Sequence, residues 1–285
     1  MGVHDKSKRD LEEGIERDFS RRMSYGDYLC LDRLLSAQRP MSDPPQHDEL
    51  LFIIQHQTSE LWLKLMIHEL RSARALLRSD DLAPALKRMA RIKHIQHSLT
   101  DQWSVLATLT PSEYAEIRPF LASSSGFQSA QYREVEFLLG NKNADMVEVF
   151  VHHPQAHAEL DQLLHEPSLY DEFLAYLARR GYAVPDELLD RDWSQPHRAN
   201  DLLVETFAAV YAAPHEHWGV YETCEELVDI EDNFQLWRFR HLLVVQRTIG
   251  HKPGTGGSSG VDFLRRALDL TFFPELYAVR TSVGS

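Results

Sequence analysis

Residues 51–64, LFIIQHQTSELWLK, form the segment that decides the fold. Leucines, isoleucines, a phenylalanine and a tryptophan occupy most faces of the α-helix that this spacing predicts. One face, at intervals of three and four residues, contains Phe52, His56, Ser59 and Leu63. The segment therefore predicts a largely buried helix with a histidine on a buried face. Such a histidine is either a hydrogen-bonded core residue or a group with a chemical role.

The composition is that of a globular protein. The chain has 285 residues, of which 43% are hydrophobic and 26% are charged. Its net charge of −13 disfavours nucleic acid and anionic membranes as partners. Cys30 and Cys224 are far apart in sequence, which argues against a disulfide framework. The N-terminus has no apolar signal segment and no stretch reaches 18 apolar residues, so we expect a cytoplasmic protein without a membrane span.

Helical periodicity dominates the chain, and it predicts an all-α bundle of long helices. The long helices are expected at 47–77, 82–109 and 215–249, with facing helices enclosing a site. Thr110 and Glu113 in TPSE form a capping box that starts a shorter helix. Residues 145–212 are expected to form a smaller helical insertion. Residues 1–23 are expected to be an arm that contacts a partner subunit, leaving 24–285 as one domain.

A second histidine lies on the helix predicted by DNFQLWRFRHLLVVQRTIG, residues 232–250. His241 is in the middle of an apolar stripe that contains Phe234, Trp237, Val244, Val245 and Thr248. Arginines at 238, 240 and 247 lie beside this stripe, where they suit the propionates of a haem. The pattern indicates either an axial haem ligand or a core histidine. Two such histidines on two long helices strengthen the case for a haem, and both interpretations stay open at this point.

The remaining motifs are less specific. His94, His97, His152, His153, His157, His215 and His217 lack recognised metal-ligand spacing, and we expect them to be exposed. The loop GTGGSSG, residues 254–260, lacks the lysine of a phosphate-binding loop. It is either a linker or a loop that closes on a small polar ligand. Tyr114 and Arg118 share one helix face, where Arg118 either binds a carboxylate or is a surface arginine.

Several blocks together resemble the tryptophan 2,3-dioxygenase family. They are FIIQHQTSELWLK (52–64), QWSVLATLTPSEYAEIRPFL (102–121), SSGFQSAQYREVEFLLGNKN (124–143), FQLWRFRH (234–241), IGHKPGTGGSSG (249–260) and FFPELY (272–277). The resemblance implies an all-helical enzyme that contains haem b and assembles as a homotetramer. It also implies insertion of both atoms of O₂ across the indole C2–C3 bond of L-tryptophan. The product would be N-formyl-L-kynurenine, in the first step of tryptophan degradation by the kynurenine pathway.

The resemblance also implies roles for individual residues. His241 matches the proximal haem ligand, and His56 matches a distal histidine that faces the substrate indole N–H. The matching substrate segment contains Phe52, Ile53, Ile54 and Gln55. Tyr114 and Arg118 match residues that hold the substrate carboxylate, and Thr255 matches a loop residue at the amino-acid head group. Tyr25 and Tyr28 match tyrosines that reach a neighbouring subunit's site, whereas haem-pocket positions are matched by Trp103, Ser125 and Gly126.

Three alternatives use the same sequence differently. In a bis-histidine haem protein for electron transfer or sensing, His56 and His241 would both bind iron, and Arg118 would have no ligand. An indoleamine-type dioxygenase would be monomeric and less selective, which the intersubunit tyrosines and distal histidine disfavour. A purely structural helical protein would require the motif match to be discarded.

Overall fold

The computed structural model describes Arg9 and residues 11–284. Over these residues the chain forms α-helices and short 3₁₀ helices, and no β-strand. The all-α prediction is therefore confirmed. Two compact units are formed, Met1–Pro40 and Met41–Ser285.

The first unit contains two short helices, α1 (Tyr25–Leu29) and α2 (Leu31–Leu34). Ser24 caps α1, and its side chain accepts a hydrogen bond from the Asp27 backbone. The sequence of residues 24–37 predicts one continuous helix, and this prediction is wrong. Cys30 has a φ of 52°, in the left-handed region, and this conformation ends one helix and begins the next. Residues 1–8 and 10 of the predicted arm lie outside the described residues.

The second unit contains the long helices and the site. Its α-helices are α3 (Glu49–Arg78), α4 (Leu82–Asp101), α5 (Trp103–Leu106), α6 (Pro111–Ile117), α7 (Ala130–Leu139), α8 (Asp145–Glu148), α9 (Pro154–Leu164), α10 (Leu169–Arg179), α11 (Asp186–Leu189), α12 (Asp201–Ala212), α13 (Trp218–Ile249), α14 (Val261–Arg266) and α15 (Pro274–Ala278). The 3₁₀ helices are Arg118–Leu121, Gly126–Gln128, Ala267–Asp269 and Val279–Thr281.

Helices α3, α4 and α13 form the centre of this unit. α4 packs against both α3 and α13, and α3 also packs against α7 and α10. Fully buried residues such as Met66, Leu70 and Met89 fill the space between these helices. The predicted long helices are thus confirmed, although the one expected at 82–109 is interrupted at Gln102, where α4 gives way to α5. No helix of the described residues is long and apolar enough to cross a bilayer.

Helices α8–α12, the predicted insertion, share the hydrophobic core of the long helices. Phe150, Phe173 and Phe207 from this region belong to the same buried cluster as α3, α4 and α13. Ion pairs also join α3 to this region, with Arg74 contacting Glu166 at 2.6 Å. The region is therefore continuous with the core of the second unit.

Two buried carboxylates attach the C-terminal segment FFPELY. Glu231 on α13 accepts hydrogen bonds from the backbone N–H groups of Phe272 (3.0 Å) and Phe273 (2.9 Å). Glu275, which is fully buried, accepts from the Tyr170 hydroxyl at 3.0 Å and contacts His197 Nε2 at 2.6 Å. Because each carboxylate pairs with several donors, its burial is compensated, and the segment is joined to α13, the helix that contains His241.

Candidate active site

The first wall of the site is the N-terminal half of α3, where Phe52 and His56 lie on one face. Their ring centroids are 4.2 Å apart, and Phe52 is 6.0 Å from the ring of Tyr114 on α6. A small apolar cluster of Trp103, Leu106, Leu109, Ile117 and Val244 lies beside them. Three chain segments separated in sequence therefore meet around His56.

The hydrogen bond of His56 defines which of its nitrogens is free to accept. Its Nδ1 lies 2.7 Å from the Phe52 carbonyl oxygen. A carbonyl only accepts, so Nδ1 donates and carries the proton. Burial lowers the pKa of His56, against smaller opposing effects of this hydrogen bond and of Glu60. The imidazole is therefore neutral near pH 7, with Nε2 as a hydrogen-bond acceptor.

The second wall is α13, where aromatic rings surround His241. Its ring stacks on Trp103, with centroids 4.7 Å apart and an interplanar angle of 8°, and it lies 5.5 Å from Trp237. Burial, and secondarily the proximity of His56, lowers the pKa of His241 to about 4. Among the described residues its imidazole has no hydrogen-bond partner. A neutral, unpaired imidazole in apolar surroundings is a suitable ligand for iron.

Orphaned donors beside His241 also fit a haem. The indole Nε1 groups of Trp103 and Trp237 are buried without hydrogen-bond partners. Buried polar groups are normally paired, so these N–H groups suggest an acceptor that the chain itself does not supply. The carboxylates of a haem would be such acceptors. The arrangement of an unpaired imidazole with unpaired donors thus fits the predicted cofactor.

The guanidinium of Arg118 is partly paired. Nη2 donates to the Pro253 carbonyl at 2.6 Å, whereas Nη1 is buried and has no partner. The capping box predicted for α6 is confirmed, with Thr110 N donating to Glu113 at 2.7 Å and Glu113 N donating to Thr110 at 3.3 Å. Because this cap starts the helix that contains Tyr114 and ends at Arg118, it determines where both side chains lie.

The glycine-rich loop lies against the predicted pocket segment. The Thr255 hydroxyl donates to the Ser124 carbonyl. A Cβ at Gly256 would come within 2.7 Å of the Ser125 Cβ, so only glycine permits this approach. The loop also accepts the Arg118 hydrogen bond through Pro253. The sequence allowed either a linker or a loop that closes on a small polar ligand, and these contacts favour the closing loop.

The structure separates some predicted site residues from the others. Ile54 is 43% exposed and lies nearly opposite Phe52, since two residues advance about 200° around a helix. Gln55 is buried with its Nε2 unpaired, and Ile53 is half-buried. Tyr25 and Tyr28 of the first unit are 76% and 75% exposed. Gly126 is exposed at the start of a 3₁₀ helix that Ser125 caps. The roles of these residues stay predictions.

Two sequence expectations about charged residues are corrected. Arg238 is 3% exposed and donates to Glu136 at 3.0 Å, so it joins α13 to α7 instead of being free for a propionate. His217 is half-buried and bonds with the Tyr182 hydroxyl at 2.8 Å, and His157 is also half-buried. The other five histidines expected at the surface are exposed. The partners of Arg238 and His217 are distant in sequence, which is why the local pattern missed them.

Comparison with known proteins gives consistent matches along the chain. The family model of tryptophan 2,3-dioxygenase matches residues 10–209 and 203–283. The tryptophan 2,3-dioxygenase of Kineococcus radiotolerans is 65% identical over 284 residues, covering 100% of this chain and 99% of that protein. Those of an Arthrobacter species and of Serratia proteamaculans are 64% and 58% identical, each over 98% of this chain and at least 99% of their own length. The chain belongs to the tryptophan 2,3-dioxygenase family.

Proposed function

We propose that this chain is a haem-dependent dioxygenase that inserts both atoms of O₂ across the indole C2–C3 bond of L-tryptophan. The product is N-formyl-L-kynurenine, in the first step of tryptophan degradation by the kynurenine pathway. Family membership over the whole chain supports the reaction. One observation on the site carries the assignment, namely the buried and unpaired Nη1 of Arg118.

Arg118 binds the substrate carboxylate in this proposal. A buried guanidinium nitrogen without a partner suggests an anionic acceptor, and a carboxylate matches the planar geometry of the group. Tyr114 lies on the same face of α6 and contacts Phe52. Thr255, beside Ser124, meets the amino-acid head group from the loop. Together these residues bind the polar end of L-tryptophan and direct its indole towards α3.

His56 positions the indole. With its proton on Nδ1, its Nε2 accepts a hydrogen bond from the indole N–H. The indole nitrogen keeps its proton, because attack on the ring carbons does not require its removal. Phe52 packs against His56 and provides apolar contact area for the indole ring. The site thus orients C2 and C3 and excludes water, which is the protein's share in a cofactor-dependent reaction.

His241 would hold the iron of haem b, with Trp103 and Trp237 around its ring. The cofactor, when bound, supplies the binding and activation of O₂. Ser125 and Gly126 contribute to the pocket near the loop. In this proposal His56 contacts the substrate and would not be a ligand of the haem iron.

We also propose that the chain assembles as a homotetramer through exposed apolar stripes on its long helices. On α3, one helix face carries leucine or isoleucine at 50, 54, 61 and 65, each between 37% and 49% exposed. On α13 a second stripe contains Leu236, Phe239 and Leu243, between 37% and 47% exposed. Stripes of this kind on a soluble chain are typical of subunit interfaces. This role explains the exposure of Ile54, and Tyr25 and Tyr28 would reach a neighbouring subunit.

Light scattering tests the assembly. Leu61→Asp places a charge in the α3 stripe and should reduce the mass of the particle in solution. Leu202→Asp on α12 is the matched control, since Leu202 is 47% exposed but outside both stripes. Equal masses for Leu61→Asp and the wild type would exclude the α3 stripe as an interface.

The absorption spectrum of the dithionite-reduced holoenzyme, with and without L-tryptophan and carbon monoxide, tests the activity. A five-coordinate ferrous haem that binds carbon monoxide and responds to tryptophan is expected. A six-coordinate spectrum that responds to neither would place His56 on the iron, and the electron-transfer alternative would replace the proposed function.

A further inference from the structure

We propose that Gln102 is a positioning residue that joins the His56 wall of the cleft to the His241 wall. The proposal rests on the function above, because it assigns Gln102 a role in the geometry of that reaction. Gln102 is the residue between α4 and α5, and it is followed directly by Trp103. Its side chain contacts α3 one turn beyond His56.

Both ends of the Gln102 amide are hydrogen-bonded to α3. The Thr58 hydroxyl donates to Gln102 Oε1 at 2.9 Å, and Gln102 Nε2 donates to the Ser59 hydroxyl at 3.0 Å. Ser59 lies on the same face of α3 as Phe52 and His56. The Ser59 hydroxyl donates its proton to the Gln55 carbonyl oxygen at 2.9 Å. The Ser59 oxygen can therefore accept the hydrogen bond from Gln102 Nε2. The pairing is therefore complementary in donors and acceptors.

These hydrogen bonds are not needed to satisfy the two hydroxyls. Thr58 Oγ1 lies 3.0 Å from the carbonyls of both Ile54 and Gln55, and Ser59 already donates to Gln55. Without Gln102, each hydroxyl keeps a backbone acceptor and no buried donor is orphaned. The amide of Gln102 adds a connection between α3 and the α4–α5 junction. Gln102 is 44 residues from Thr58 and 43 residues from Ser59 in sequence.

The connection continues to the second wall. Trp103 is 6% exposed, and its ring stacks on that of His241. A continuous chain of contacts thus leads from the α3 turn that contains His56, through Ser59 and Gln102, to Trp103 and His241. The hydrogen bonds of Gln102 with Thr58 and Ser59 join α3 directly to the α4–α5 junction. A change at Gln102 should therefore alter the separation of the two histidines.

The expected effect is on turnover more than on substrate affinity. Arg118 and Thr255 bind the amino-acid head group from other elements, so the KM for L-tryptophan should change less than threefold. A displacement of 1 Å in a catalytic site costs about 10²-fold in rate. A shift of a few tenths of an ångström between the walls should lower kcat roughly tenfold.

The test compares holoenzymes carrying Gln102→Leu, Gln102→Glu and, as matched control, His97→Ala. His97 lies on α4 and, like Gln102, bonds to another helix, with its Nε2 3.0 Å from the Asn233 side chain, but at an exposed position. The first readout is the Raman spectrum of the carbon monoxide complex, whose iron–carbon stretch responds to the distance of His56. The second is the separation of kcat from KM.

We expect Gln102→Leu to shift the iron–carbon stretch and lower kcat roughly tenfold. Gln102→Glu, which still accepts from Thr58 but cannot donate to Ser59, should be intermediate, and His97→Ala should match the wild type. A Gln102→Leu spectrum and kcat equal to those of the control would overturn the proposal. If Gln102→Leu does not bind haem, Ser59→Ala and Thr58→Val are measured in its place. An iron–carbon stretch unshifted from the wild type in both of these variants would also overturn the proposal. A wild-type enzyme inactive on L-tryptophan would refute the proposed function, whereas the Raman comparison would still decide the role of Gln102.

Discussion

Replacement of Arg118 by leucine is the most direct test of how the site selects its substrate. The substitution removes the buried, unpaired Nη1 and the Nη2 that bonds to Pro253. Leucine keeps part of the apolar stem of the side chain. We expect L-tryptophan to lose the partner of its carboxylate, while its indole contacts with Phe52 and His56 remain.

The magnitude follows from the hydrogen bonding of the guanidinium. Loss of one partner of a buried, hydrogen-bonded charge pair costs about 2–5 kcal/mol. Arg118 is only half-buried and already gives one hydrogen bond to Pro253, so the lower part of this range, about 2–4 kcal/mol, applies. At about 1.4 kcal/mol per factor of ten, kcat/KM should fall roughly 30- to 700-fold.

The assay is steady-state formation of N-formyl-L-kynurenine, followed together with the competitive binding of tryptamine, which lacks the carboxylate. Tryptamine affinity should change less than threefold, because it has no group for Arg118 to bind. Arg180→Leu, at an exposed position on the surface, is the control for loss of charge. Equal losses for L-tryptophan and tryptamine would refute the carboxylate role and indicate a general change in the site.

Three further predictions concern the histidines, the loop and the core. His241→Ala should abolish haem binding whereas His56→Ala should only weaken turnover, and equal haem loss by absorbance would contradict this division. Gly256→Ala should raise the KM for L-tryptophan several-fold, because the new Cβ would lie 2.7 Å from the Ser125 Cβ. Adding Ser125→Gly to this variant should restore the wild-type KM. An unchanged KM in Gly256→Ala would exclude a loop that is docked against Ser125. Burial lowers the pKa of Lys142 to about 7, so the unfolded state binds the extra proton between about pH 7 and 10. In this pH interval Lys142 should therefore make the unfolding free energy rise by up to about 1.4 kcal/mol per pH unit. Urea unfolding measured at several pH values should show this rise in the wild type and not in Lys142→Met.

Local sequence patterns were sufficient for the long helices and for the apolar stripe that contains His241. Thr110 and Glu113 are three residues apart, and their capping box depends only on that spacing. The apolar stripe around His241 is likewise a property of a single helix, and Phe234 and Val244 are buried as it predicts. Where a left-handed residue interrupts a favourable run, as at Cys30, periodicity alone does not reveal the break.

What the sequence by itself determined is the helical character of the chain, its family, and the presence of His56 and His241 on two of its long helices. The tertiary structure alone decided which groups are paired. Arg238 is bound to Glu136, 102 residues earlier, whereas Arg118 retains an unpaired nitrogen. Gln102 meets Ser59 across 43 residues. The physical reason is that helix periodicity is a short-range property of the backbone, while side-chain pairing depends on how distant helices pack and on which donors remain without acceptors after packing.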